Sequence, residues 1–364
     1  VQAHAQVVQI DPVVDPRWDE FVRAHASSSI YHLGMWSAIL RSTYGFKPVY
    51  LALEADQRLE GVLPLMLTRG LVTGNRLRSL PAVGSVDPLA STTEGRAALL
   101  GAACELTLER HARSWTLRAR EGGYDELEPR LRQSRRFKTF VAELPEDPDA
   151  LRASWKKSSN NLWRSLRKAD EADVQVREGN SERDLKLFYG IYAQTMRRHR
   201  SLPRSYRMLS MARQSLLPLD SYRLLLAEHR GKVVAGGVFH AWRDTVDLVF
   251  NASSERHLAL RPNHAVYWSA IRWAIENGYR RYNMGEAPVD GSLGRFKAQW
   301  GGQPVDRFRY DFTPGERAGA ADALRRVSTG LDSGEGRQSI VSRIWGRTPL
   351  VATRVAGQLV YRFF

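Results

Sequence analysis

The sequence predicts an α/β protein built from two copies of one unit. Three observations carry that prediction. The chain has 364 residues, more than one core comfortably organises. The element order strand, strand, helix, strand can be read twice along it. Its composition, 43% hydrophobic and 26% charged, is that of an ordinary soluble protein. No uninterrupted apolar run approaches the roughly 18 residues of a membrane span, so no integral membrane segment is expected.

The first copy opens with helical patterns at Trp18–His25 and Met35–Ser42, the latter with Trp36, Ile39 and Leu40 at helical spacing. Strand-like runs Val49–Glu54 and Leu59–Leu67 flank the polar turn Ala55–Arg58 and predict a hairpin. A Gly/Pro-punctuated loop, Leu80–Pro88, leads to a long helix over Thr93–His111 and a strand at Ser114–Arg118. The second copy repeats the order. Tyr222–Glu228 and Val233–His240 form a hairpin about His229–Lys232, and Thr245–Asn251 is a further strand. Pro262 opens a helix over Asn263–Asn277, Gly278 closes it, and Arg281–Gly285 is the last strand.

Between the copies, Ser154–Ala169 reads as one amphipathic helix. Trp155, Leu162, Leu166 and Ala169 form its apolar stripe and Lys157, Arg164 and Lys168 a basic ridge, which is a solvated surface or a phosphate-binding face. Residues 315–337 are rich in Gly, Ala, Ser and Arg, as a linker is. Residues 338–364 mix spaced arginines with Ile, Leu, Val, Trp and Phe and read as an amphipathic helical tail interrupted at Pro349, docked on the body or touching an anionic membrane surface. The expected divisions are therefore 1–147, 148–314 and 315–364.

The balance of 54 Lys and Arg against 39 Asp and Glu gives a net charge of +15 and a pI near 10.2. Such a chain attracts polyanions: nucleic acid, an anionic membrane face or phosphorylated substrates, among which charge alone does not choose. The lone Cys104 lies in an apolar helical run and reads as a small core residue, and it excludes an intrachain disulfide. With no secretory signal pattern at the N-terminus, a reducing, cytoplasmic location is the expectation, extending to the inner face of the membrane if the tail binds there. The nine histidines show no metal-ligand spacing, so no metal is expected. Gly-x-Ser-x-Gly, Walker and Gly-x-Gly-x-x-Gly sequences are absent, which argues against hydrolase, P-loop and dinucleotide chemistry.

One segment stands out chemically: Gly291-Ser-Leu-Gly-Arg-Phe-Lys-Ala-Gln-Trp-Gly-Gly302. Its glycines allow sharp turns or close approach, Phe296 and Trp300 can anchor it to a core, and Lys297 is then a cation pointed into a cleft. The alternative is a loop lysine covering its own stem.

The second copy's element order resembles the GNAT acyltransferase fold. That fold receives a donor pyrophosphate at a helix N-terminus, here Arg261-Pro-Asn-His-Ala-Val266, where His264 and Val266 stand in place of small residues and argue against ordinary coenzyme A binding. The chain more closely resembles the FemABX-like peptidoglycan bridge aminoacyltransferases, two tandem GNAT-like domains, over roughly residues 15–312. The resemblance rests on Asn161-Leu-Trp-Arg-Ser-Leu-Arg-Lys-Ala169 followed by Val174-Gln-Val176, on Phe188-Tyr189 with Thr195-Met-Arg-Arg198, and above all on Phe296-Lys-Ala-Gln-Trp-Gly-Gly302.

It implies an amide-forming acyltransferase in which an acceptor amine attacks the ester carbonyl of an aminoacyl-tRNA. Lys297, with Phe296 beside it, corresponds to the family's catalytic Phe-Lys pair. Arg198 corresponds to an arginine holding the acceptor's diphosphate. Arg164, Lys168 and Arg261 are further candidates for phosphate. His264, Tyr282 and Glu286 are the nearest candidates for a general base, each with an ordinary structural role available. The family's Ile-Asp-Pro is replaced by Thr116-Leu-Arg-Ala-Arg120, so an acceptor-binding aspartate is missing, and Arg41 stands one place from the expected lysine after Trp36. Phe250 takes the place of an expected tyrosine. No cofactor is expected beyond the donor. The expected partners are aminoacyl-tRNA and a phosphate-bearing cell-wall or envelope precursor. Two alternatives are an N-acyltransferase using acyl-CoA or acyl carrier protein, and an idle scaffold binding RNA or membrane through its basic surface.

Overall fold

The two hairpin turns read from the sequence close as two-residue turns with left-handed backbone at both central positions. Asp56 and Gln57 (φ 47° and 61°) join Lys47–Ala55 to Arg58–Gly70, and Arg230 and Gly231 (φ 50° and 71°) join Tyr222–His229 to Lys232–Trp242. Such turns match the right-handed twist of the strands, so each fixes the register of its hairpin locally. The computed structural model describes residues 5–70, 74–157 and 161–315. The linker and helical tail expected over 315–364 lie almost wholly outside the described residues.

The described residues form two compact units, one of 5–137 with 306–315 and one of 138–305. In the first, strands run in the order Gln6–Ile10, Lys47–Ala55, Arg58–Gly70, Gly74–Ser79, Trp115–Ala119, and finally the strand Gln303–Phe312, whose Phe308–Phe312 pairs antiparallel with Trp115–Ala119. The pairing of Gly74–Ser79 with Trp115–Ala119 is parallel, so the sheet is mixed. Helix Thr93–Glu109, capped by Thr92, lays Leu99, Leu100, Ala103 and Cys104 on Leu51, Leu65, Trp115 and Leu117. Cys104 is fully buried there, and burial pushes its thiol up to about 12.

The second unit is again a mixed sheet: the end of Arg132–Glu143, then Arg281–Glu286, Thr245–Ser253, Lys232–Trp242, Tyr222–His229 and Gln175–Glu178. Helix Pro262–Glu276 buries Val266, Ala270, Ile271 and Ala274 against one face. The stripe Trp155, Leu162, Leu166 and Ala169 is buried in the same core, carried by the helical stretches Pro148–Lys157 and Asn161–Glu171. Helix Glu182–Arg198 begins at a capping box made by Ser181 and Asp184 and packs on Lys232–Trp242 and Thr245–Ser253.

The parallel pairing of Thr245–Asp247 with Arg281–Asn283 lasts only three residues, after which the strands part. Two irregularities flank that point. Val249 is skipped in the ladder, because Val238 faces Phe250 while Phe239 faces Leu248. The pairing of Arg281–Glu286 with Arg132–Glu143 shifts between Asn283 and Glu286. Among the described residues no helix is long and apolar enough to cross a membrane, and no group of three His, Cys, Asp or Glu could hold a metal ion.

Candidate functional site

The segment 291–302 folds as a short helix, Ser292–Gln299, closed by Trp300 and a left-handed Gly301. Its glycines are steric necessities. A Cβ at Gly294 would lie 2.2 Å from the Pro288 carbonyl oxygen, and one at Gly302 would lie 2.6 Å from Met284 Cε. The aromatic residues lock the helix sideways. The Phe296 ring meets His264 and Tyr267 edge-on at 5.2 and 5.1 Å, and Trp300 packs on Trp155 and Tyr267 at 5.5 and 5.4 Å. Phe296 is thus a packing residue that fixes the helix carrying Lys297.

Lys297 is 4% exposed, and its amine donates to the carbonyl oxygens of Gly285 and Glu286, each at 2.9 Å. An ammonium has three N–H donors, and the third has no acceptor among the described residues. Burial draws its pKa down to about 8, against the opposing pull of Glu286. The amine sits where the two strands part: a Cβ on Gly285 would be 3.9 Å from Lys297 Nζ and 3.8 Å from the Leu248 carbonyl oxygen.

The carbonyls that hold Lys297 are themselves held. Gly285 has φ 77°, and its N–H donates to Asn283 Oδ1 at 3.0 Å. The same oxygen accepts from the Thr139 hydroxyl at 2.7 Å, while Asn283 Nδ2 donates to Asp247 Oδ1 at 2.7 Å. Asn283 therefore ties three strands together at the bulge that presents Gly285 and Glu286 to the lysine. Sequence reasoning missed it; the only signal was a polar residue inside the strand pattern two places before a glycine.

A second knot forms at Ser253. Its N–H donates to Thr195 Oγ1 and its carbonyl accepts from the same hydroxyl, each at 3.2 Å; Arg198 Nη1 reaches that carbonyl at 3.4 Å, and Asn263 Nδ2 donates to Ser253 Oγ at 3.1 Å. The structure thereby brings the end of helix Glu182–Arg198 to the start of helix Pro262–Glu276. At that start Arg261 is left-handed (φ 60°) and exposed, Pro262 lacks an N–H, and Asn263 Oδ1 and His264 Nδ1 are buried without hydrogen-bond partners. Burial, then Arg261, lowers His264 to about 4, so its ring is neutral at neutral pH.

Residues 156–298 match the acetyltransferase (GNAT) domain family. No curated protein matches the chain in sequence. Among solved structures it is similar to FemX, with a TM-score of 0.67 at 15% identity over 88% of this chain and 99% of FemX. It is also similar to the C-terminal domain (DUF2156) of a putative lysylphosphatidylglycerol synthetase from Agrobacterium fabrum (TM-score 0.56, 13% identity, 88% and 97% of the two chains). A tandem GNAT protein from the clavulanic acid biosynthesis pathway aligns with a TM-score of 0.53 and 13% identity over 86% and 99%. The chain has the FemX-like tandem GNAT fold.

Within that fold the expected site residues separate. Lys297, Phe296, His264, Arg261 and Glu286 gather around the parting strands, with Glu286 contributing its carbonyl and an exposed carboxylate. Arg198 joins them through Ser253. Tyr282 does not: it is fully buried under Phe239 and Tyr267, its hydroxyl has no partner, and desolvation pushes its pKa far upward, so it is a core residue and not a base. Arg164 and Lys168 are exposed on helix Asn161–Glu171, where Arg164 bonds Asn161. Arg41 is exposed on helix Met35–Tyr44 of the first unit. Phe250 meets Tyr192 at a tilt, their ring centroids 5.2 Å apart, an apolar contact on the strand carrying the Val249 bulge.

Proposed function

We propose that this protein is an amide-forming aminoacyltransferase that takes an aminoacyl-tRNA as donor and an amine on a phosphate-bearing envelope precursor as acceptor. The observation that carries the reading is Lys297, a buried ammonium with one donor to spare at the point where two parallel strands separate. The acceptor nitrogen attacks the ester carbonyl carbon, and the carbonyl π pair moves onto oxygen. Lys297 donates to that oxyanion. The pair then returns, the carbon–oxygen bond to the ribose breaks, and the ribose oxygen takes up a proton as the nitrogen loses one, leaving an amide and uncharged tRNA. Because charge on the oxygen is largest in the transition state, the lysine lowers the barrier rather than tightening ground-state binding, an effect of about 3–4 kcal/mol for one such donor.

Two features support a tRNA donor over coenzyme A. The helix start offers Pro262 in its first turn and side chains at His264 and Val266, a poor cradle for pyrophosphate. The net charge of +15 suits a polyanion. The name of the putative lysylphosphatidylglycerol synthetase, which shares the fold, couples an amino acid to a phosphate-bearing lipid, in keeping with this class of reaction. Arg198, on the Ser253 carbonyl, and Arg261, at the helix start, are then the residues assigned to phosphate, and residues 338–364 are the segment for contact with an anionic membrane.

The test is to incubate a mixed pool of charged tRNAs with the protein and a bacterial envelope-precursor extract, following each amino acid by radiolabel and mass spectrometry. Acceptor-dependent discharge of one amino acid, abolished by Lys297→Ala, is the expected result. Thermal stabilisation by coenzyme A with no discharge from tRNA would overturn the donor assignment.

A further inference from the structure

We propose that Asp247 is a positioning residue for Lys297, and that its hydrogen bond to Asn283 sets the point at which the two parallel strands separate. The inference deepens the transferase reading and rests on it for the consequence to catalysis. Thr245–Asp247 pairs in parallel with Arg281–Asn283, and Asp247 and Asn283 are the final partners of that ladder. Partners in register project to the same face of a sheet, so the two side chains lie side by side. Across this last rung Asn283 Nδ2 donates to Asp247 Oδ1 at 2.7 Å.

Beyond that rung the ladder stops. Neither Met284 nor Gly285 is in register with a residue of Thr245–Ser253 or of Arg132–Glu143. The Gly285 N–H turns back to Asn283 Oδ1 at 3.0 Å, the side chain of a residue two places earlier, and Gly285 takes up φ 77°. With the backbone so turned, the Gly285 and Glu286 carbonyls accept from the Lys297 amine, each at 2.9 Å. Asp247 therefore acts on the lysine through two intermediaries, the Asn283 amide and the turn it closes.

The carboxylate decides which way that amide faces. Asn283 Oδ1 accepts from the Gly285 N–H and from the Thr139 hydroxyl, the latter at 2.7 Å. A flipped amide would meet the Gly285 N–H with a second donor and set its oxygen against Asp247, which as a carboxylate only accepts. A hydrogen bond to a charged acceptor is roughly twice as strong as a neutral one, so of the two side chains on the amide Asp247 holds it more firmly than Thr139.

A reciprocal exchange tests the pair. Asn283→Asp sets two carboxylates against each other, whereas Asn283→Asp/Asp247→Asn restores a donor facing an acceptor and keeps an oxygen toward Gly285 and Thr139. Asp247→Leu removes the acceptor without adding charge, so the result does not hang on the folding of one variant. Lys297 is followed in the full chain by competitive acetylation with acetic anhydride at increasing pH and mass spectrometry of its peptide, a readout that needs no tRNA. The wild-type labelling midpoint is expected near 8, moved up towards 10.5 in Asn283→Asp and Asp247→Leu as the amine gains water, and returned in the double variant. For tRNA discharge, kcat should fall about tenfold in the two single variants with KM unchanged, and recover to within about threefold of wild type in the double variant. The proposal is overturned if Asn283→Asp keeps the wild-type midpoint, if the double variant recovers neither midpoint nor kcat, or if the wild-type midpoint already lies near 10.5. A wild-type chain that discharges no tRNA removes the transferase reading, and the labelling midpoints then decide the role of Asp247 by themselves.

Discussion

Replacing Lys297 by Met separates the lysine's catalytic contribution from its energetic cost to the fold. The depression of its pKa from 10.5 to about 8 corresponds to about 3 kcal/mol paid to keep the ammonium buried at neutral pH. Lys297→Met removes that cost but orphans the Gly285 and Glu286 carbonyls, at about 1–3 kcal/mol each. The two effects nearly offset, so at pH 7 the variant should lie within about 2 kcal/mol of wild type, while the transfer rate falls by about 10²–10³. The pH dependence distinguishes this account from a lysine that is merely packed. A lysine whose folded pKa lies below its unfolded pKa leaves the unfolded chain with more bound protons between about pH 8 and 10.5, so wild-type stability must rise with pH across that window relative to the variant. Urea unfolding of both proteins at pH 7, 8, 9 and 10 measures the difference. A difference that stays flat or falls with pH would refute the burial argument, and a Met variant that still transfers at the wild-type rate would refute the role of Lys297.

Asn283→Ala should lower kcat for transfer about tenfold with little change in KM, and should move the alkaline limb of the pH–rate profile, because the Gly285 and Glu286 carbonyls that hold the lysine lose their anchor. A structural role alone would leave that limb in place. Gly294→Ala should destabilise the second unit by about 1–3 kcal/mol or prevent folding, since its Cβ would meet the Pro288 carbonyl oxygen at 2.2 Å; denaturant titration reads it. His32 in the first unit is fully buried between Ser29 and the Asp87 carbonyl, and burial, aided by Arg120, lowers its pKa from 6.5 to about 4. The unfolded chain therefore binds the extra proton first, and about 3 kcal/mol of stability should be lost as pH falls from 6.5 to 4. His32→Gln should flatten that part of the acid-unfolding curve, and an unchanged curve would show that another group governs it.

Much of the fold was legible because its determinants are local. The polar turn residues at 55–58 and 229–232 set two hairpins, Pro262 and Gly278 bound one helix, and the long apolar runs of 93–109 and 262–276 need no distant partner to be recognised as helices. Strands Gly74–Ser79 and Gln303–Phe312 were not legible. Their alternate positions carry arginines and aspartates, and only pairing with Trp115–Ala119 explains why such sequences are extended. The apolar stripe Trp155, Leu162, Leu166 and Ala169 expected over 154–169 is buried in the core of the second unit, because its helical spacing puts these side chains on one face.

The candidate site divides along the same line. The sequence by itself determined that Lys297 lies in a glycine and aromatic frame and that the chain is basic and lacks a metal-ligand pattern, because residue identity and spacing carry that information. Only the tertiary structure decided that Tyr282 is buried core, that Asn283 braces the strand beneath the lysine, and that Ser253 joins Arg198 to the helix start. Each of those facts depends on which strands lie side by side and in what register, and a shift of one residue would turn every one of these side chains to the other face of its sheet.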